Sequence, residues 1–152
     1  AVYLHFPNRT ELLIATTRYI DEVKNVDGRL AASRAATTGP ERLRAYIEAW
    51  GNYIPEIYGV GSALMAMGDG DEEARQAWAD RMRAVREGCE AAVTAIKADG
   101  RLRDGFTSQT GTDLLWTLLS VQNWENLTQT CGWTQKEYIS RIKSLAQEAL
   151  IA

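Results

Sequence analysis

The residues of this sequence best suited to binding chemistry are large apolar side chains, several with a polar edge. Trp50, Tyr53, Ile54, Tyr58, Met65, Trp78, Met82, Val85, Cys89 and Trp116 offer the broad contact and adaptable packing that line a small-molecule cavity. The same residues at helical spacing also suit an ordinary core. A backbone group is a second candidate. Pro55 has no amide N–H to bond the Gly51 carbonyl in a continuing helix, so that carbonyl is expected as a free acceptor beside Trp50 and Asn52, open to a ligand donor or an ordered water.

Nucleophilic and metal chemistry find no residues at the right spacing. The sequence holds one histidine, His5, and neither a Ser-His-Asp set, an HExxH motif nor a phosphate-cradling glycine loop before a helix. Cys89 and Cys131 fit no metal spacing and read as a buried thiol and an incidental one. Glu72 and Glu73 fall in the first turn of an expected helix, where carboxylates favour the helix dipole. An enzyme built on a helical bundle would need acidic and histidine ligands on facing helices. The expectation is therefore a protein that is not an enzyme and carries no metal and no cofactor.

The elements that must position the aromatic set are helices throughout, with no β-alternation beyond a few residues. Asn8-Arg9-Thr10-Glu11 reads as a helix start, since Asn8 can accept from first-turn amides and Glu11 completes a capping-box spacing. That helix is expected from Arg9 to about Val26, fraying near Asp27-Gly28 or continuing through Leu30 to Ala36. Thr37-Thr38-Gly39-Pro40 is a break, with Pro40 at the first helical position. Leu43, Ile47, Trp50 and Ile54 give the next helix its apolar stripe, and Pro55 is expected to kink or end it. Gly59, Gly61, Gly68 and Gly70 then bound a short segment, Ser62 to Met67, of one or two helical turns.

The strongest helix signal spans Asp71 to Asp99, where Ala74, Trp78, Met82, Val85, Cys89, Ala92, Val93 and Ile96 repeat at three- and four-residue intervals. Gly100 is placed to end it in a left-handed conformation. Another helix is expected from about Thr110 to Leu127, and a last one from Thr134-Gln135-Lys136-Glu137 to the C-terminus. Leu114, Leu115, Trp116, Leu118, Leu119 and Val121 cover most of one helix circumference, and a helix apolar nearly all round is buried nearly all round. A second subunit is a natural cover for the last two helices.

Composition agrees with one helical domain, or one domain plus a fragment. Apolar residues are 45% of 152, enough for a substantial core. No apolar run approaches the roughly 18 residues of a membrane span and no signal peptide is visible, so the expected location is the cytoplasm. The net charge of −3 argues against these residues alone gripping a nucleic-acid duplex, which calls for a basic footprint.

Tyr3-Leu4-His5-Phe6-Pro7-Asn8-Arg9 followed by Leu12-Leu13 resembles the junction between the DNA-recognition helix and the first connecting helix in regulators of the tetracycline-repressor (TetR) family. Asp113-Leu114-Leu115-Trp116-Thr117-Leu118-Leu119-Ser120 resembles the penultimate helix of that family. Cys131-Gly132-Trp133-Thr134-Gln135-Lys136-Glu137-Tyr138 resembles the start of its last helix. The resemblance covers both ends and the helix order, while the middle matches in layout only.

It implies an all-α, TetR-like ligand-binding and dimerisation bundle over 9–152, preceded over 1–8 by the end of an incomplete helix-turn-helix domain. It also implies a ligand-responsive transcription regulator, expected to be a repressor, with operator DNA, a small-molecule effector and a second copy of itself as partners, and no membrane. Tyr3, His5 and Arg9 match the family's DNA-contacting junction, where a phenol and a guanidinium suit phosphate oxygens. Leu118, Val121, Trp124, Tyr138, Ile142, Leu145 and Ala149 match its dimer face. The competing expectation is a helical binding or dimerisation module without DNA-binding activity.

Overall fold

A computed structural model describes residues 8–68 and 70–152; the junction residues Tyr3 and His5, on which part of the DNA expectation rests, lie outside them. The first helix, α1 (Arg9–Val23), starts where the sequence placed it. Its cap is Asn8, whose side chain accepts from the Glu11 amide at 2.8 Å. The helix stops short of Val26 because Asn25 turns left-handed at φ 53°, a conformation asparagine tolerates better than most residues. Two short turns follow, α2 (Val26–Arg29) and α3 (Ala31–Ala35). The Asn25 side chain caps the first of them by accepting from Gly28 N.

Helix α4 (Gly39–Met67) is not ended by Pro55, one of the two outcomes expected there. It continues for 29 residues with the proline inside it, and the segment Ser62 to Met67 is its last part. Pro40 sits at its second position rather than its first, after the Thr38 cap and Gly39. Continuity has a tertiary cause. The Gly51 carbonyl that Pro55 leaves without a partner accepts from Gln135 Nε2 at 2.9 Å. Gly51 itself lacks the Cβ that would meet the Ile139 side chain at 2.5 Å, so the C-terminal helix can close over the proline site. Gly61, expected as a breaker, instead admits the Trp78 ring, 2.9 Å from where a Cβ would stand.

Helix α5 (Glu72–Ala98) is capped by Asp71 and Asp99 and followed by Gly100 at φ 69°, as its pattern predicts. It returns antiparallel along α4. Gly61 lies beside Trp78, the Tyr46 hydroxyl donates to Val85 O at 3.1 Å, and Gly39 lies against the Ile96 backbone. Leu43, Ile47, Ile54, Cys89, Val93 and Ile96 are fully buried along this seam.

The helix expected over Thr110 to Leu127 is divided. Helix α6 (Ser108–Leu118) begins at a Thr107–Thr110 capping box. Ser120 then adopts an extended conformation and caps a single turn, α7 (Val121–Trp124), which leads into a π-helical turn over Glu125–Thr130. Trp50 Nε1 donates to the Leu119 carbonyl at 2.9 Å, and Ser120 Oγ accepts from Asn123 N at 3.1 Å. These bonds satisfy backbone groups that a continuous helix would have paired internally.

Helix α8 (Gln135–Leu150) starts with Thr134 accepting from Glu137 N and ends one bridge short of the terminus, where Ile151 pairs with Leu102. Gln135 joins three elements at its start. Its Nε2 also donates to Asn52 Oδ1 at 3.0 Å, and its Oε1 accepts from Trp124 Nε1 at 2.8 Å. No helix among the described residues is long and apolar enough to cross a membrane.

Candidate functional site

Helix α1 lies across the α4–α5 pair, and a cavity of about 390 Å³ opens between them. Ile14, Thr17, Arg18 and Asp21 recur at three- and four-residue intervals, so they share the α1 face turned to it. Ile57, Gly61 and Leu64 of α4 and Trp78, Arg81 and Ala84 of α5 form the other walls. A smaller space of about 120 Å³ lies further along α4 and includes Tyr46, Trp50, Tyr53 and Val85 in its lining. Val26, Arg81 and Ala84 belong to both linings, so they form the partition.

The polar centre of this region is a three-helix contact. Arg81 donates through two guanidinium nitrogens to the two carboxylate oxygens of Asp21, one of these bonds at 2.9 Å, and the Tyr53 hydroxyl donates to Asp21 Oδ1. The side chains of the ion pair are only 17% and 26% exposed, which sets it apart from the surface pairs of α5. Burial first, and then the bond to Asp21, push the Tyr53 phenol well above its ordinary value, so it remains a proton donor to that carboxylate. Arg29 lies over the Tyr53 ring, 5.3 Å from its centre, and pairs with Glu56. A second tie holds the start of α1, where the buried Thr10 hydroxyl donates to Asp71, the cap of α5.

The predicted pocket residues are not gathered into one cavity. Trp78 lines the larger space, and Trp50, Tyr53 and Val85 line the smaller. Ile54 and Cys89 are fully buried in the core, and burial pushes the Cys89 thiol up to about 12. Tyr58 packs on Trp124 with ring centres 5.0 Å apart. Met65 faces Gln122, and the Met82 carbonyl accepts from Trp116 Nε1 at 3.1 Å.

The free acceptor expected at Gly51 is filled by Gln135, a structural clamp in place of a ligand contact. Asp21 and Arg81 carry no signal of this pairing in the sequence beyond a charge placed on the inward stripe of α1, legible only once that face is known. Among the described residues, no group of three or more His, Cys, Asp or Glu side chains could hold a metal ion.

The residues matched to a dimer face divide into two sets. Val121, Trp124, Tyr138 and Ile142 are buried within the chain itself, whereas Leu118 and Ala149 are half-buried and Leu145 is 49% exposed. Leu118, Leu127, Trp133 and Leu145 border an open groove between α8 and the π-helical turn, with Ile142 at its floor. Arg9 is exposed in the first turn of α1.

No protein-family model and no curated protein matches the sequence. The fold is similar to the crystal structure of a Rhodococcus sp. protein assigned to the TetR family of transcriptional regulators, with a TM-score of 0.70 at 18% identity. The match covers 97% of this chain and 78% of that one. The fold is thus all-α and TetR-like, as the sequence resemblance implied.

Proposed function

We propose that this chain is the effector-binding and dimerising body of a cytoplasmic, ligand-responsive DNA-binding transcription regulator. In this reading it is a repressor, released from its operator by a small hydrophobic or aromatic effector. The observation that carries the reading is the cavity roofed by α1, the helix that begins in the stretch resembling the junction between a recognition helix and the first connecting helix. A cavity of about 390 Å³ falls in the size range of small-molecule sites, and an occupant would touch α1 on one side and the α4–α5 pair on the other. An effector that prefers a displaced α1 shifts the population away from the operator-binding state.

Two copies joined through α8 and the segment after α6 would set two DNA-reading heads in successive major grooves. Helix-turn-helix contact is assigned to the N-terminal side of α1, with Tyr3, His5 and Arg9 at its edge.

Leu145 provides the test, because it is exposed and a charge there leaves the monomer core intact. Leu145→Glu, in the product of the complete reading frame, is expected to halve the solution mass measured by light scattering. It should also weaken operator binding by about a hundredfold or more, since one head keeps only part of the contacts. A variant that stays dimeric and binds DNA like the parent would place the interface elsewhere.

A further inference from the structure

On the reading of the α1–α4–α5 cavity as the effector site, we infer that its effector is an organic carboxylate with an apolar body, held by the guanidinium of Arg81. The walls offered by Ile14, Ile57, Leu64 and Trp78 suit the apolar body. The head group follows from counting donors and acceptors. A guanidinium has five N–H donors, and Asp21 engages Arg81 through two nitrogens. Among the described residues no other acceptor is bonded to Arg81, although its side chain is only 17% exposed.

Asp21 is the better-satisfied partner. Its carboxylate takes the Tyr53 hydroxyl in addition to Arg81. The surplus at this wall is therefore donor capacity, which a planar carboxylate matches with charge-assisted bonds.

The remaining charges at the cavity point the same way. Asp80, on its rim, is exposed to solvent and has its charge paired with Arg83, its Oδ1 accepting from both Arg83 and Gln76. Arg18 adds an exposed positive charge from α1. Because Arg81 lines both spaces, a carboxylate bound to it would compete with Asp21 for the same cation. The bond that ties α1 to α5 weakens as the effector binds, which gives the ligand the preference for a displaced α1 that release requires.

Calorimetric titration of the chain with phenylacetate, phenylacetamide and phenethylamine separates the head groups while the apolar body stays nearly constant. Phenylacetate is expected to bind at least about tenfold more tightly than the amide, as charge-assisted bonds imply, and the amine most weakly. Asp21→Asn removes the competing carboxylate and should tighten phenylacetate about tenfold while leaving the amide unchanged. Arg81→Met should erase the preference.

The comparison among the three probes needs no variant, so a misfolded substitution cannot rescue the assignment. Amide or amine binding as tight as phenylacetate overturns the carboxylate while leaving the effector cavity standing. Binding by none of the three also overturns the carboxylate, and the cavity is then judged separately by release from operator DNA.

Discussion

Trp50→Ala is expected to destabilise the fold by about 4 kcal/mol, in the middle of the range for truncating a buried aromatic side chain. Two effects add. Trp50 is 6% exposed at the centre of the α4 stripe, so truncation opens a void next to the smaller cavity that Tyr46, Tyr53 and Val85 help to line. Its indole N–H is also the partner of the Leu119 carbonyl at the point where α6 ends, and an unpaired buried carbonyl costs about 1–3 kcal/mol.

Trp50→Phe separates the two effects. It keeps most of the packing and loses the donor, with an expected loss of about 2 kcal/mol. Equilibrium unfolding in urea, followed by circular dichroism at fixed protein concentration, reads both values. A Phe variant as stable as the parent would show that the break after α6 needs no donor from α4.

The second large effect lies where α4 begins. A Cβ on Gly39 would stand 2.4 Å from Cα and N of Ile96 and 2.7 Å from the Ala95 carbonyl carbon, all of them backbone atoms that cannot swing aside. The Gly39 amide meanwhile donates to Asp99 Oδ2, on the residue that caps α5. Gly39→Ala must therefore part the N-terminus of α4 from the C-terminus of α5, and about 3 kcal/mol is the expected loss.

Gly59 is the control, because nothing lies within 4 Å of its added Cβ and it sits exposed within the same helix. Gly59→Ala should stabilise by about 1 kcal/mol through helix propensity. The pair of variants, compared by thermal unfolding, should move in opposite directions. Movement in the same direction would mean that the close approach of α4 and α5 at Gly39 is not what holds the seam.

The seam was the part of the fold most legible in the sequence. Ala74 through Ile96 repeat with a helical period that local chemistry enforces, and Asn8, Asp71 and Thr134 announce helix starts through their own side chains. That the helix would continue past Pro55 was not legible, for the complementary reason. A proline kinks or breaks an isolated helix, but here Gln135, 84 residues beyond Gly51, supplies the donor that the Gly51 carbonyl lacks. The end of α6 likewise depends on Trp50, far away in the chain. No local pattern carries such bonds.

The candidate site was legible only in its apolar half. Trp78, Trp50 and Tyr53 announce themselves by size, and the structure does put them on cavity walls. Asp21 and Arg81 look like ordinary surface charges until α1 is laid over α5, and their importance comes wholly from that packing. A residue buried against a neighbouring helix and one buried against a second subunit show the same periodicity, so the sequence pattern alone does not separate them. Tyr138 and Ile142 are buried within the chain's own core, whereas Leu145 is half-exposed.

In the proposed function, an occupant of the cavity beneath α1 controls DNA binding. The most direct measurement is the operator affinity of the product of the complete reading frame, with and without the small molecule that mass spectrometry identifies in the purified protein. The expected result is sequence-selective binding that weakens by at least about tenfold when the effector saturates its site, within the usual range of allosteric coupling. Operator affinity that stays unchanged with a ligand seated between α1, α4 and α5 would contradict the account, as would a product with no sequence-selective DNA binding at all.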